Sequence, residues 1–366
     1  MNVCFLRLIR SNSTDGGIGR WGGIRLCYLI RHRTDEKAKD EKKNNAERCV
    51  DKEDVKRLIR LLIADILPEV WVPPQPVRAL RGLISYRQRL VKTGALLRNR
   101  LHSLLHSHNL VLPEEGLLNQ TWGDQQEKLS ELEKLQIRPE LSLLEQIKKH
   151  KAEVDRELGR QSLGNGWGKQ ALRLLQLPGI GVVIAMTILS ALGDIHRVES
   201  ADKLVGYSGL GAGVPDRGQE HIDKRITKSG RKELRGAMVE AAWRAVRMSP
   251  YWKEQYETYL QRLRRPSQAL VVVARKLLVA VWHVLSKEET DVHASAEDLA
   301  DKMLVLSWDL DESVRQGLTY KQFAKYALLK LGVENDITRF VRKNVPRRIA
   351  SREDVLVRLV ELGLNG

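Results

Sequence analysis

QLPGIGVVIAMTILSALGDIHRVESADKLVGYSGLGAGVPDRGQEHIDKRITKSGRKELR, residues 176–235, sets three features side by side. Leu177-Pro178-Gly179-Ile180-Gly181 is a glycine turn that opens an apolar segment. Tyr207-Ser208-Gly209-Leu210-Gly211 is a second tight loop. Lys224, Arg225, Lys228, Arg231, Lys232 and Arg235 form a basic run. Glycine turns at a helix start leave backbone N–H groups open to an anion, which makes Gly179 and Gly181 candidate phosphate contacts. Clustered Lys and Arg add an attraction to polyanions that does not depend on their sequence. Together they predict a helical nucleic-acid-binding domain with a helix-hairpin-helix-like motif.

The bulk composition agrees. Lys plus Arg number 62 against 46 acids, a formal charge of +16 over 366 residues. Nucleic acid is the leading partner for such a chain, with a basic amphipathic membrane surface as the competing reading. The length implies two or three domains. The cysteines, Cys4, Cys27 and Cys49, are odd in number and widely spaced, which points to a reducing, cytoplasmic compartment and away from zinc. MNVCFLRLIR is too short for a secretory apolar core. No run is expected to reach bilayer length, and the longest, around 179–192, reads as a buried helix.

Along the chain, residues 1–33 hold two short apolar runs around a glycine cluster. Gly17, Gly19 and Gly22 match G-x-G-x-x-G, but a β-branched apolar run follows where a dinucleotide fold needs a helix. Residues 34–48 are charged and read as a linker or solvated helix. A helix starts at Asp51, and Glu69-Val70-Trp71-Val72 reads as a short strand ended by Pro73 and Pro74. Apolar residues recur at helical spacing over 77–110 and again over 125–161, where Pro139 kinks or divides the helix. Two such stretches flanking Pro113 predict an antiparallel hairpin or coiled coil, a route to a homo-oligomer. Trp243, Trp252 and Trp282 read as core. His102 and His106 suit zinc geometrically, but no acidic or cysteine partner is near in sequence, so a solvated or RNA-facing stripe is favoured.

The segments LPGIGVVIAMTILSALGDIHRVESADKLVGYSGLGAGV, ITKSGRKELRGAMVEAAW, SPYWKEQYE and ARKLLVAVWHVL resemble the C-terminal domain of the bacterial DEDD insertion-sequence transposases, the IS-one-ten family. EVWVPPQPVRALRGLISYRQRLVKTGALLRNRLHSLL resembles the segment joining that family's two domains. The resemblance covers roughly residues 50–290. It implies an N-terminal ribonuclease-H-like domain binding Mg²⁺ through four acids, a helical coiled coil, and a helical domain with a serine nucleophile. It further implies DNA strand exchange guided by a structured RNA, in the bacterial cytoplasm at the nucleoid.

On that basis the chain is expected to be mostly α. Residues 1–76 form a truncated or divergent ribonuclease-H-like remnant, 77–165 a helical hairpin or coiled coil, 166–290 the helical transposase domain, and 291–366 a helical basic tail. The family's last two acids fall on Asp51 and Asp54, the candidate catalytic pair and Mg²⁺ ligands. Carboxylates at i and i+3 share a helix face and suit a hard cation. The alternative is a helix N-cap and a first-turn dipole complement. The first two acids have no in-strand match among the 50 residues before Asp51. In Asp216-Arg217-Gly218-Gln219, Arg217 stands where the resemblance expects the serine, and a guanidinium cannot attack a phosphodiester. Ser229 is the nearest substitute nucleophile, and a helix N-cap is its alternative role. Transposition, impaired by these losses, and non-catalytic nucleic-acid binding are the two functional expectations.

Overall fold

The computed structural model describes residues 52–66, 71–110, 129–164, 166–211, 226–333, 336–342 and 344–363. The chain divides into two units, Met1–Pro74 and Gln75–Gly366. In the first, α1 (Lys52–Ile63) ends in exposed Ile63, with Ile66 exposed beyond it. The ribonuclease-H-like expectation for the segment before α1, and Asp51 with it, lies outside the described residues. Residues 71–74 carry no strand, so that part of the short-strand expectation is not met. Pro73 and Pro74 each lack the N–H a ladder would need.

The second unit is mostly helical. Its first helices are α2 (Gln75–Ser107) and α3 (Glu131–Gln161). Their contacts run in opposite directions: Arg87 pairs with Asp155, Gly94 faces Leu144 and Ile147, Arg100 pairs with Glu140, and His108 pairs with Glu133. The two helices are therefore antiparallel. Leu97, Leu101, Leu105, Leu110, Leu129, Ile137 and Leu144 form a separate small core at the far end. A capping box starts α3, with Ser130 accepting from Glu133 N–H while the Glu133 carboxylate accepts from Ser130 N–H. Pro139 sits inside α3, in its third turn, without dividing it. Leu132 and Leu135, expected on the apolar seam, are 75% and 69% exposed. They lie on the outward face of α3, off the stripe that carries Ile137 and Leu144.

The base of this hairpin enters the main core. There α4 (Gly168–Leu175) leads through the 176–181 turn into α5 (Val182–Leu192), followed by α6 (Ala201–Ser208). Next come α7 (Lys232–Met248), α8 (Pro250–Leu263) and α9 (Pro266–Ser286). As expected, α5 is buried: residues 184–192 are all shielded from solvent. It packs against α2, α3, α4 and α7. The expectation that no run reaches bilayer length is overturned by α9, which is long and apolar enough to cross a membrane by length and composition, at a mean hydropathy of 1.8. Half of that window is buried against protein. Leu270, Val273, Ala274, Leu277, Leu278 and Val281 pack in the main core, where α9 meets α4, α6, α7 and α8. Its apolarity is that of a central core helix. Trp252 is buried and Trp282 donates from Nε1 to the Val198 carbonyl at 3.0 Å, but Trp243 is 44% exposed and is not core.

The tail is α10 (Ala296–Trp308), α11 (Tyr320–Leu331), strands β1 (Arg339–Arg342) and β2 (Val345–Arg348), and α12 (Arg352–Glu361). The basic stretch expected in a helical tail is an antiparallel β-hairpin. Asn344 turns it with a φ of 61°, a conformation Asn tolerates better than most residues. Largely buried Lys302 joins the tail to the 176–181 turn, donating to the carbonyls of Leu175 at 2.9 Å and Leu177 at 2.8 Å. Asp298 pairs with both Lys302 and Arg342 at 2.7 Å.

Candidate nucleic-acid interface

The two glycine turns do different work. Gly179 adopts a φ of +79°, and a Cβ there would stand 2.2 Å from the Ala241 carbonyl oxygen and 2.6 Å from the Ala245 nitrogen. It is buried, and its role in the structure is backbone packing between the turn and α7. Gly181 is the N-cap of α5, extended at φ −104° and ψ 179°, half-exposed, with no side-chain cap and open space around its Cα. The first N–H groups of α5 follow it, and such groups have no partner within their own helix.

The second turn is clamped to the basic run. Gly209 closes α6 in the left-handed region. Residues 227–231 then lie along it: Thr227 N–H donates to Gly211 at 3.0 Å, Lys228 N–H to Gly209 at 3.2 Å, and Arg231 N–H to Tyr207 at 3.0 Å. A Cβ at Gly230 would approach the Tyr207 carbonyl oxygen to 2.4 Å, at a φ of +143°. Only glycine permits this contact without a shift of the backbone. Arg235 braces the clamp through Nη1, which donates to Ser208 at 3.1 Å and to Lys228 at 3.2 Å. Arg275 donates to Leu210 from Nε at 3.2 Å and Nη2 at 2.9 Å.

This clamp leaves Lys228, Ser229 and Lys232 exposed and Arg231 half-buried. Arg231, not Ser229, is the N-cap of α7, so the capping alternative for Ser229 is corrected. The turn puts Ser229 two positions before that cap, held by backbone rather than by its own hydroxyl.

Two further arginines converge on the same region, Arg81 from outside the 176–235 stretch and Arg197 from within it. Arg81, on α2, donates from Nε to Ser190 at 2.6 Å and from Nη2 to Ala191 at 3.0 Å. Arg197 donates from Nε to Leu192 at 2.6 Å and from Nη2 to Ala191 at 3.3 Å. The Tyr207 hydroxyl also donates to Ala191, at 3.1 Å. These carbonyls end α5, where a helix lacks internal donors and carries partial negative charge. Burial first, then the positive charge of Arg231, pulls the Arg81 pKa below its ordinary value; Tyr207 opposes the shift and Arg197 adds to it. Arg81, Arg197 and Arg231 thus form one field of positive charge beside the Ser229 turn. No local sequence pattern marks Arg81, because its acceptors lie on α5, more than a hundred residues away.

The remaining candidates are not brought into this site. Lys224, Arg225 and Arg217 lie outside the described residues, as does Asp51. Asp54 is placed only by its backbone, on α1. Among the described residues, no group of three or more His, Cys, Asp or Glu is positioned to hold a metal ion. His108 pairs with Glu133 at 2.6 Å across the hairpin.

Residues 171–257 match the profile of the transposase IS116/IS110/IS902 family. The chain is 25% identical over 262 residues to "Putative transposase y4qE" of Sinorhizobium fredii, covering 71% of this chain and 64% of that protein. It is 22% identical over 220 residues to the transposase for insertion sequence element IS1111A of Coxiella burnetii, covering 58% of this chain and 59% of that one. A pilin gene-inverting protein of Moraxella bovis is 30% identical over 118 residues, 32% of this chain and 37% of its own. The chain thus spans about three-fifths of the length of the first two relatives. The stretch that contains both glycine turns and the Ser229 clamp is thus similar to the IS116/IS110/IS902 transposase family.

Proposed function

We propose that the chain acts in transposition of an insertion sequence and that the face built by the 207–211 and 226–231 turns receives a DNA phosphodiester. The observation that carries this is the clamp. It holds the exposed Ser229 beside Arg81, Arg197 and Arg231, and burial together with the charges of Arg231 and Arg197 pulls the Arg81 pKa down. Concentrated cations beside a nucleophile are what a phosphoryl-transfer site requires, because charge builds on the phosphate oxygens in the transition state. Ser229 Oγ attacks phosphorus, loses its proton, forms a serine–phosphate ester and releases a deoxyribose hydroxyl. Gly181 and the open N–H groups after it offer a further contact for the DNA backbone, as helix-hairpin-helix turns do. Asp51 and Asp54 are the proposed Mg²⁺ ligands by family resemblance. A guide RNA and self-association through the α2–α3 hairpin belong to the same proposal. The hairpin exposes Leu96, Leu132, Leu135 and Leu143.

A second reading, DNA binding without catalysis, is favoured by Arg217 at the position where the resemblance expects serine. One experiment separates the two. The purified chain is incubated with DNA bearing an insertion-sequence end, and covalent protein–DNA adduct is measured beside equilibrium binding. The strand-exchange reading expects an adduct that Ser229→Ala abolishes while binding stays within about twofold. No adduct from the parent, with binding that Arg231→Ala weakens, establishes the second reading. Binding unaffected by Arg231→Ala removes both.

A further inference from the structure

A second site lies beyond the matched domain, where α10 and α11 meet the hairpin. Trp308, Tyr320, Lys321, Pro346, Arg347 and Arg348 line a cavity of about 360 Å³, within the size range of small-ligand sites. The chain is poor in aromatics, at 5%, yet two large rings stand open here: Trp308 is 51% and Tyr320 45% exposed. The Arg347 guanidinium sits 4.9 Å from the Trp308 ring centre, with Asp301 3.8 Å behind it. Lys321 and Arg348 are exposed, and neither has an acidic partner among the described residues.

The hairpin register supplies an independent sign. Arg348 stands directly opposite Arg339, and like charges directly opposed across two strands destabilise the pair. The fold thus maintains a repulsion that an anion would relieve. The cations in the lining also exclude a cationic ligand for the exposed rings. Open aromatic faces next to unpaired cations are the chemistry of single-stranded nucleic acid, whose bases stack while its phosphates are neutralised. In a duplex the bases are already stacked inside and cannot reach these rings.

We propose that this cavity takes one unpaired nucleotide of a single-stranded DNA or RNA segment. The base lies against Trp308 and Tyr320, and the flanking phosphates meet Lys321 and Arg348. The site goes beyond the DNA reading above and shares no residue with it, so the two stand or fall separately.

The test is fluorescence anisotropy of the full chain with four short labelled ligands of equal length: single-stranded DNA, single-stranded RNA, an abasic strand, and a blunt duplex. With the unmodified protein, the better of the two base-bearing strands should bind about tenfold more tightly than the abasic strand, the weight of one stacked base. Which of the two is tighter identifies the source. Trp308→Ala should reduce that strand to the abasic level, and Trp308→Phe should restore most of the affinity. Duplex binding should be unchanged by Trp308→Ala, whereas Lys228→Ala with Arg231→Ala should weaken it. Equal binding of abasic and base-bearing strands by the parent overturns the proposal whatever the variants do. So does a folded Trp308→Ala chain, checked by circular dichroism, that binds as the parent does.

Discussion

Gly179 and Gly181 stand two positions apart and answer to different constraints. At Gly179 the positive φ and the approach to the α7 backbone act together. A methyl group there must displace α7 or strain the turn, so Gly179→Ala should cost about 2–5 kcal/mol. At Gly181 the φ is ordinary and the space is open. Gly181→Ala should stay within about 1 kcal/mol, the range of a weaker N-cap. Chemical denaturation of the two variants checks the contrast; equal losses would mean that the 179 position tolerates a Cβ. Spacing in the sequence located both glycines, but it could not tell them apart. Which of the two meets α7 depends on a helix some sixty residues further on, at Ala241 and Ala245. Arg81 was missed for the same reason: its partners, the Ser190 and Ala191 carbonyls, lie more than a hundred residues away.

At the scale of elements, the α2–α3 hairpin was legible because leucines at helical spacing have to bury one stripe. Leu97, Leu101 and Leu105 do so. Leu132 and Leu135 are not buried, since they fall on the outward face of α3, as Leu143 does. The β1–β2 hairpin was not legible: its arginines hide the alternation, and only Phe340 of β1 is buried. The hairpin helices are tied by Arg87 of α2 and Asp155, toward the C-terminal end of α3, with Lys151 on the same carboxylate at 2.9 Å. Burial works against the Asp155 charge, but the hydrogen bonds from Arg87 and Lys151 outweigh it and hold the carboxyl below its ordinary value. A depressed carboxylate pKa means that the folded state binds fewer protons than the unfolded one between the two values. Its stability contribution is therefore full above the unfolded pKa, near 3.9, and is lost as pH falls through the lower folded value. Asp155→Asn should cost about 1–2 kcal/mol at neutral pH. The gap between variant and parent should narrow only below about pH 4. Urea melts at pH 7, 5 and 3.5 test this; a gap that is the same at all three pH values would show that the ion pair does not stabilise the hairpin.

At the scale of the whole molecule, a charge of +16 would make the proposed nucleic-acid binding salt-dependent wherever the contacts fall. Net charge alone cannot say which residues release counterions, and the structure divides them. Arg81, Arg197, Arg235 and Arg275 have donors committed to backbone carbonyls. Lys228 and Lys232 are exposed on the clamped turn, with Arg231 half-buried between them. If the turn meets DNA, each cation contributes about 0.9 to the slope of log affinity against log salt concentration. Lys228→Ala with Arg231→Ala should then lower that slope by roughly 2. Arg339→Ala, on the tail hairpin, should leave the duplex slope unchanged, although it removes the same charge per residue. Titrations of a duplex between about 50 and 200 mM salt, the range over which such slopes are resolved, decide the matter. Equal slope changes per charge at both positions would mean that the chain binds through its overall field, and that the Ser229 clamp is not where DNA sits.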